Sequence, residues 1–222
     1  MSDMQKIQAV IFDVDGVLFD SMWMWDELDE KYLRSLGLEM REETTKAVSK
    51  MSFEEAADYL RVEYRLDLTV EEIVGQIQDM VRNFYYQEVT LKAGVRRMLE
   101  NLARRGIPAV IASASDLDML EHALTRCQIR PMIKKVFTCS EVGAGKTRPD
   151  VFLAAAEYLG VQPEHCLIVE DSLHAIETAI QAGFVTAGVY DESSRLEQDD
   201  IRNQVTYYVG EQETIDSLLN RL

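Results

Sequence analysis

Ile7-Gln8-Ala9-Val10-Ile11-Phe12-Asp13-Val14-Asp15-Gly16 is the stretch on which the reading of this chain turns. Residues 7–12 are short, apolar and rich in β-branched side chains, and they stop abruptly at an acid. Such a run reads as a buried strand. A strand apolar on both faces belongs to a parallel sheet with helices above and below it. That assignment requires later strands, each separated from the next by an amphipathic helix.

The chain beyond Gly94 supplies them. Residues 95–105 carry helical periodicity that Gly106 stops. Residues 107–112 read as a strand with Pro108 near its start, 116–127 as a helix and 136–139 as a strand. A helix follows over 149–159, with Pro149 in its first turn. Residues 166–169 form a strand, 172–182 a helix closed by Gly183, and 184–189 another strand. Residues 205–209 read as a last, edge-like strand before a closing helix from Glu213.

Between these segments and the first strand the pattern changes. From Met22 to Gln87 the apolar residues recur at helical spacing. Trp25, Leu28, Tyr32 and Leu36 share one face; Phe53, Ala56, Leu60 and Tyr64 share a second; Ile73, Ile77, Met80 and Phe84 share a third. Gly37 and Asp67 mark the breaks, and no strand signal falls inside. The predicted fold class is α/β: a doubly wound parallel sheet over residues 1–20 and 88–222, with an inserted all-α helical domain over residues 21–87.

In an open parallel sheet, ligands bind beyond the carboxyl ends of the strands. The first strand delivers Asp13-Val14-Asp15-Gly16 there and the second Ser113-Ala114-Ser115. The third is followed by a loop containing Lys146, and the fourth delivers Glu170-Asp171-Ser172. An acid after a strand is often only a helix cap, a role open to Asp116 and Asp171. The convergence of several such ends on one edge is what points to chemistry. The set suits phosphoryl transfer. A carboxylate nucleophile divides the reaction into two easier steps, and a second carboxyl two residues on can serve as acid and then base. Asp13 and Asp171, with a backbone carbonyl, offer the oxygen ligands that Mg²⁺ prefers. Ser113 and the N–H groups after it, beginning with Ala114, suit a phosphate at a helix start, and Lys146 adds positive charge.

These pieces carry a resemblance. Residues 12–21 (FDVDGVLFDS), 112–115 (ASAS), Lys146 within 145–153 (GKTRPDVFL) and 169–172 (VEDS) occur in the order of the four motifs of the haloacid dehalogenase (HAD) superfamily. The chain is similar to that superfamily's phosphatase and β-phosphoglucomutase-like branch over nearly its whole length. The resemblance implies a HAD-like Rossmannoid core with Asp13 as nucleophile and Asp15 as acid and base. It implies phosphate binding at Ser113, Ala114 and Lys146. Mg²⁺ would be held by Asp13, the Asp15 carbonyl and Asp171, with Glu170 close by. The insert is implied to be a small cap that closes over the core and excludes water. Thr147 stands where the family usually has proline, and Ala175 where it often has glycine.

The expected activity is Mg²⁺-dependent hydrolysis of a small phosphate monoester through an aspartyl-phosphate. The alternative is a phosphosugar mutase. Mutases that resemble this chain carry a histidine at the position of Trp25, and their Lys-Gly-Val-Ser-Arg loop is only partly echoed by residues 46–50 (KAVSK), so hydrolysis is favoured. Trp23 and Trp25 are expected to join the cap helices rather than stack on substrate, and Lys46, Lys50 and Arg148 to be solvated charges. A P-loop nucleotide hydrolase is a distant third. Residues 140–147 (SEVGAGKT) miss the phosphate-loop pattern only in the first glycine, but that reading leaves Asp13 and Asp15 without a role. A receiver-type signalling module is disfavoured by the helical insert.

Composition narrows the partners. The chain has 222 residues, 47% of them apolar, and a formal charge of −16 from 39 acids and 23 bases. So negative a surface repels nucleic acid and anionic membrane. It repels a phosphate ester too, which makes a local cation necessary. Three scattered cysteines (Cys127, Cys139, Cys166) and three scattered histidines match no disulfide framework or zinc spacing. Residues 1–8 lack the basic and apolar regions of a signal peptide. The expectation is a soluble, cytoplasmic protein, monomeric by default, whose partner is a small phosphorylated metabolite.

Overall fold

The computed structural model describes residues 7–48 and 51–222, so Lys50 lies outside the described residues. The chain divides into two compact units, Met1–Met22 with Val89–Leu222, and Trp23–Glu88.

The larger unit is built on β1 (Ala9–Phe12), β2 (Phe19–Asp20), β3 (Thr90–Leu91), β4 (Ala109–Ser113), β5 (Val136–Thr138), β6 (Cys166–Glu170), β7 (Val185–Val189) and β8 (Tyr207–Val209). Six of these form one parallel sheet in the order β5-β4-β1-β6-β7-β8. From β1 the chain builds outward through β4 and β5, then returns to the other side of β1 for β6, β7 and β8. That is the doubly wound order, and its reversal falls between β1 and β6. Every residue of β1, β4, β5 and β6 is buried. This is the physical reason that those strands read as continuous apolar runs.

The register aligns Phe12 with Val169 and with Ile111. Asp13 and Glu170 therefore leave adjacent strands side by side. One face of the sheet packs Ala9, Ile11, Val110, Ala112 and Ile168 against Phe152, Ala155, Ala175 and Ala179. Ala175 is fully buried there, so a methyl group is accommodated where the family often has only hydrogen.

The smaller unit is helical, with no strand among its described residues. The expected first face divides into two helices, Met22–Asp26 and Leu28–Ser35. They bury Met24, Leu28, Tyr32 and Leu33 and leave Trp25 and Leu36 exposed. A further short helix, Glu42–Val48, was not anticipated. Ser52 and Thr69 open the two longest helices, Phe53–Glu63 and Val70–Asn83. Each forms a capping box with the glutamate three residues on, Glu55 and Glu72. Ile73, Ile77, Val81 and Phe84 form the buried stripe, and the Tyr32 hydroxyl donates to Gln76 Oε1 at 3.1 Å.

Two further expectations are corrected, and one pairing is added. The strand expected to reach Cys139 stops at Thr138, because Thr138 and Glu141 form a capping box that begins a helical turn, Cys139–Val142. The closing segment is a 3₁₀ stretch, Ile215–Asn220, rather than an α-helix from Glu213. Two short strands, β2 and β3, pair antiparallel where the chain leaves and re-enters the larger unit.

Candidate active site

The site begins at β1. Its ladder continues one residue beyond the strand, with the Asp13 N–H donating to the Val169 carbonyl at 2.9 Å. Asp13 is thereby fixed at the reversal between β1 and β6. Its Oδ1 lies 2.5 Å from the Lys146 ammonium, which also reaches Glu170 Oε1 at 2.6 Å. The other Glu170 oxygen accepts from the N–H groups of Asp171 and Ser172, at 3.0 and 3.2 Å, and from the Ser172 hydroxyl at 3.0 Å. Glu170 is thus fully engaged as an orienting group. Asp171, one residue on, brings its carboxylate to within 4.8 Å of those of Asp13 and Glu170.

Asp15 belongs to a turn rather than to the acidic cluster. The Val14 carbonyl accepts from the N–H groups of Leu18 and Phe19, both at 2.8 Å, closing the turn. The Asp15 carboxylate is held at both oxygens. The Ser21 hydroxyl donates to Oδ1 and the Ser115 hydroxyl to Oδ2, each at 2.6 Å. Ser113 is fully buried, and its hydroxyl accepts from the Ser115 N–H at 3.0 Å. Ala114 between them is exposed. The loops after β1 and β4 are therefore joined through serine hydroxyls. Asp116 is a helix cap, accepting from the Asp118 N–H at 2.9 Å.

Gly16 supplies space. Its φ is +73°, and a Cβ there would lie 2.2 Å from Asp171 Oδ2. The backbone approaches that carboxylate more closely than any side chain permits.

Burial of so many acids has electrostatic consequences. Desolvation pushes the Asp13 carboxyl from its ordinary 3.8 up to about 8, although Lys146 pulls against it and Glu170 and Asp15 reinforce it. Burial, then the charges of Glu170, Asp13 and Asp191, raise Asp171 well above the carboxylate range. For Glu170 burial acts upward too, but the Lys146 ammonium and the Ser172 donors outweigh it and hold the group below its usual value. Burial opposes the charge on Lys146, yet Asp13 and Glu170 raise its pKa. With all three carboxylates ionised, one ammonium would leave two negative charges uncompensated, which is the repulsion that favours protons on Asp13 and Asp171 when no further cation is bound. A hard divalent cation with oxygen ligands fits this deficit. Asp13 and Asp171 can hold one, with the Asp171 carboxylate set directly against the Gly16 backbone.

Three contributors are not marked by the strand-end pattern. Lys92, just after β3, donates to the Gly16 carbonyl at 2.7 Å and to Asp191 Oδ2 at 2.8 Å. Ser21 and Ser115 fall in the motif segments 12–21 and 112–115, but no spacing marks them as partners of Asp15. The 140–147 segment forms no phosphate-cradling loop. Residues 140–142 are helical, and Lys146 turns back to the acids.

Residues 10–189 match the model of the family described as haloacid dehalogenase-like hydrolase. Hexitol phosphatase B of Escherichia coli K12 is 29% identical over 188 residues, covering 79% of this chain and 80% of that protein. A probable pseudouridine-5'-phosphatase of Drosophila melanogaster is 31% identical over 204 residues, covering 88% and 86%. The crystal structure of CbbY from Rhodobacter sphaeroides in complex with phosphate aligns with a TM-score of 0.70 at 21% identity, over 91% of this chain and 93% of that one. At that identity the structural likeness speaks to the fold alone.

Proposed function

This chain belongs to the haloacid dehalogenase-like hydrolase family, and from that premise we propose that it is a Mg²⁺-dependent phosphatase acting on a small phosphate monoester through a phosphoenzyme on Asp13. One observation carries the reading. The carboxylates of Asp13, Glu170 and Asp171 lie within 4.8 Å of one another, with the Lys146 ammonium bridging two of them.

Asp13 is the nucleophile. A carboxylate oxygen attacks phosphorus, and the bond from phosphorus to the ester oxygen breaks. The Asp15 carboxyl gives its proton to the departing oxygen. In the second step Asp15 takes a proton from water as that water attacks phosphorus. The bond to Asp13 breaks, and orthophosphate leaves. Lys146 orients the Asp13 carboxylate and balances charge that gathers on the phosphoryl oxygens. Ser113 and the Ala114 N–H bind those oxygens. Asp13, Asp171 and the Asp15 carbonyl would hold Mg²⁺, with Glu170 orienting them from behind. When bound, the cation supplies charge that offsets repulsion between the carboxylate and an anionic ester.

The names of the relatives suggest hexitol and nucleoside phosphates as the first substrate classes to try. The test is phosphate release from a panel of such monoesters, with Mg²⁺ and with EDTA. Release that requires Mg²⁺ and vanishes in Asp13→Asn is expected. Undiminished release in EDTA, or in Asp13→Asn, overturns the proposal.

A further inference from the structure

Lys92 carries a second charged junction outside the acidic cluster. Its ammonium donates to the Gly16 carbonyl at 2.7 Å, to the Tyr190 carbonyl at 3.0 Å and to Asp191 Oδ2 at 2.8 Å. An ammonium has three donors, and all three are used. The same residue donates its backbone N–H to the Leu18 carbonyl at 2.9 Å, extending the β2–β3 pairing of Phe19 with Leu91 and Asp20 with Thr90. Lys92 therefore grips the 13–20 segment twice, once through its backbone and once through its side chain.

Each partner is committed. Gly16 lies between Asp15 and the turn that folds back to Phe19, with its N–H on the Phe19 carbonyl at 3.1 Å. Tyr190 and Asp191 leave the carboxyl end of β7. The other Asp191 oxygen accepts from the Ser193 N–H at 3.1 Å and from its hydroxyl at 2.8 Å. Asp191 is buried, and Lys92 is its only ion-pair partner among the described residues. Without the ammonium, two carbonyls and a carboxylate would face one another with no donor between them. Acceptors so arranged repel, and a buried charge without a partner is costly. The turn carrying Asp15 and the loop after β7 would part.

We propose that Lys92 is a positioning residue. Held by Asp191, it locks the Gly16 carbonyl, and through it the turn that aims the Asp15 carboxylate. The inference rests on the phosphatase reading, because the step it serves is proton transfer by Asp15. Misplacing a proton donor slows chemistry while leaving substrate binding nearly intact. The junction also explains a lysine at this position, since a neutral residue of the same length could neither neutralise Asp191 nor serve both carbonyls.

The test compares wild type, Lys92→Met and Asp191→Asn. The readouts are kcat and KM for one phosphate monoester with saturating Mg²⁺, kcat as a function of pH, and the thermal melt in EDTA. For Lys92→Met, kcat per folded molecule is expected to fall about ten- to a hundredfold with KM changed little, as displacement of a reacting group predicts. The shape of the kcat profile against pH should change, which a purely structural role would not cause. Asp191→Asn should show the same pattern, more weakly. If Lys92→Met does not fold, Asp191→Asn decides. A reduced kcat with unchanged KM supports the proposal, and wild-type kinetics overturn it. Wild-type kcat and pH profile in folded Lys92→Met also overturn it, while leaving the phosphatase reading intact. An inactive wild type would instead sink that reading itself.

Discussion

The Lys146 ammonium sits 2.5 Å from Asp13 Oδ1, and both side chains are buried. Because the ammonium is also bonded to Glu170, the acid held below its usual range, its removal leaves a buried carboxylate charge with no ion-pair partner among the described residues. Breaking a buried ion pair from one side costs about 3–5 kcal/mol. Lys146→Met should therefore destabilise the metal-free protein on that scale, measured by denaturant unfolding. Added Mg²⁺ should recover part of the loss. The rate should fall about a hundred- to a thousandfold, as when one preorganised donor to a charged transition state is removed. Unchanged stability in EDTA would show that the lysine does not carry this charge balance.

The same cluster predicts a pH signature. Unfolded, Asp13 ionises near 3.8; folded and metal-free, it keeps its proton up to about 8. Across that window the folded state holds more protons, so its stability falls as pH rises, by up to about 1.4 kcal/mol per pH unit for each such carboxyl. Asp171 is shifted in the same direction. Glu170 is shifted the other way, and its contribution is lost only as pH falls below the ordinary carboxylate range. Mg²⁺ binds the ionised form and displaces the protons. The rise in Tm on adding Mg²⁺ should thus be larger near pH 8 than near pH 5. Equal shifts at the two pH values would remove Asp13 and Asp171 from the metal site.

Gly16 offers a sharper probe of geometry. Alanine there would take a left-handed φ of +73° and put its Cβ 2.2 Å from Asp171 Oδ2. The backbone conformation alone costs about 1–2 kcal/mol. The displaced carboxylate should raise the Mg²⁺ concentration for half-maximal activity about ten- to a hundredfold. A Mg²⁺ titration of Gly16→Ala checks this. Wild-type metal dependence would mean that Asp171 is not held against Gly16.

How far this site was legible depends on where its signal lay. Asp13, Glu170 and Asp171 could be read because each follows a continuous apolar strand, and parallel order brings such ends to one edge. The β2–β3 pair could not. Two residues per strand give no periodicity, and Asp20 and Thr90 meet across the whole insert. Lys92 and Asp191 are 99 residues apart, and no spacing rule connects them. The Thr138–Glu141 capping box was written in the sequence as Thr-x-x-Glu, but Val136 and Phe137 before it made the strand reading run on into the helix. In the insert, the 3.6-residue period found Leu28 and Tyr32 correctly. It misassigned Trp25 and Leu36, because the helix is interrupted at Glu27 and both residues end up exposed.

Asp15 allows the two chemical steps to be separated. Its oxygens are held by Ser21 and Ser115 at 2.6 Å, and an asparagine keeps the size and most of those bonds. Asp15→Asn should therefore fold, yet lose its proton-transfer role and with it about a hundred- to ten-thousandfold in rate. With p-nitrophenyl phosphate the leaving group needs no proton, so the first step survives and the second does not. Intact-protein mass spectrometry after acid quench should find a phosphoryl group on the Asp15→Asn chain and none on Asp13→Asn. Phosphate on neither variant would argue against a covalent route.

Trp25 separates hydrolase from mutase. It is exposed and lines a cleft of about 180 Å³ in the helical unit with Leu28, Asp29, Val48, Phe53 and Ile77. The polar side chains that line it are Asp29, whose carboxyl is raised by burial, and Ser52, whose hydroxyl accepts from the Glu55 N–H at 3.3 Å. A mutase must retain a phosphosugar intermediate and re-present it in a second orientation, which calls for polar groups that grip a sugar bisphosphate. At position 25 an indole offers one N–H donor for that and no group that takes up a proton. With β-glucose-1-phosphate the expected products are glucose and orthophosphate. Conversion to glucose-6-phosphate with little free phosphate, followed by phosphorus NMR, would reverse the assignment. It would also mean that the histidine absent at position 25 is not needed for isomerisation.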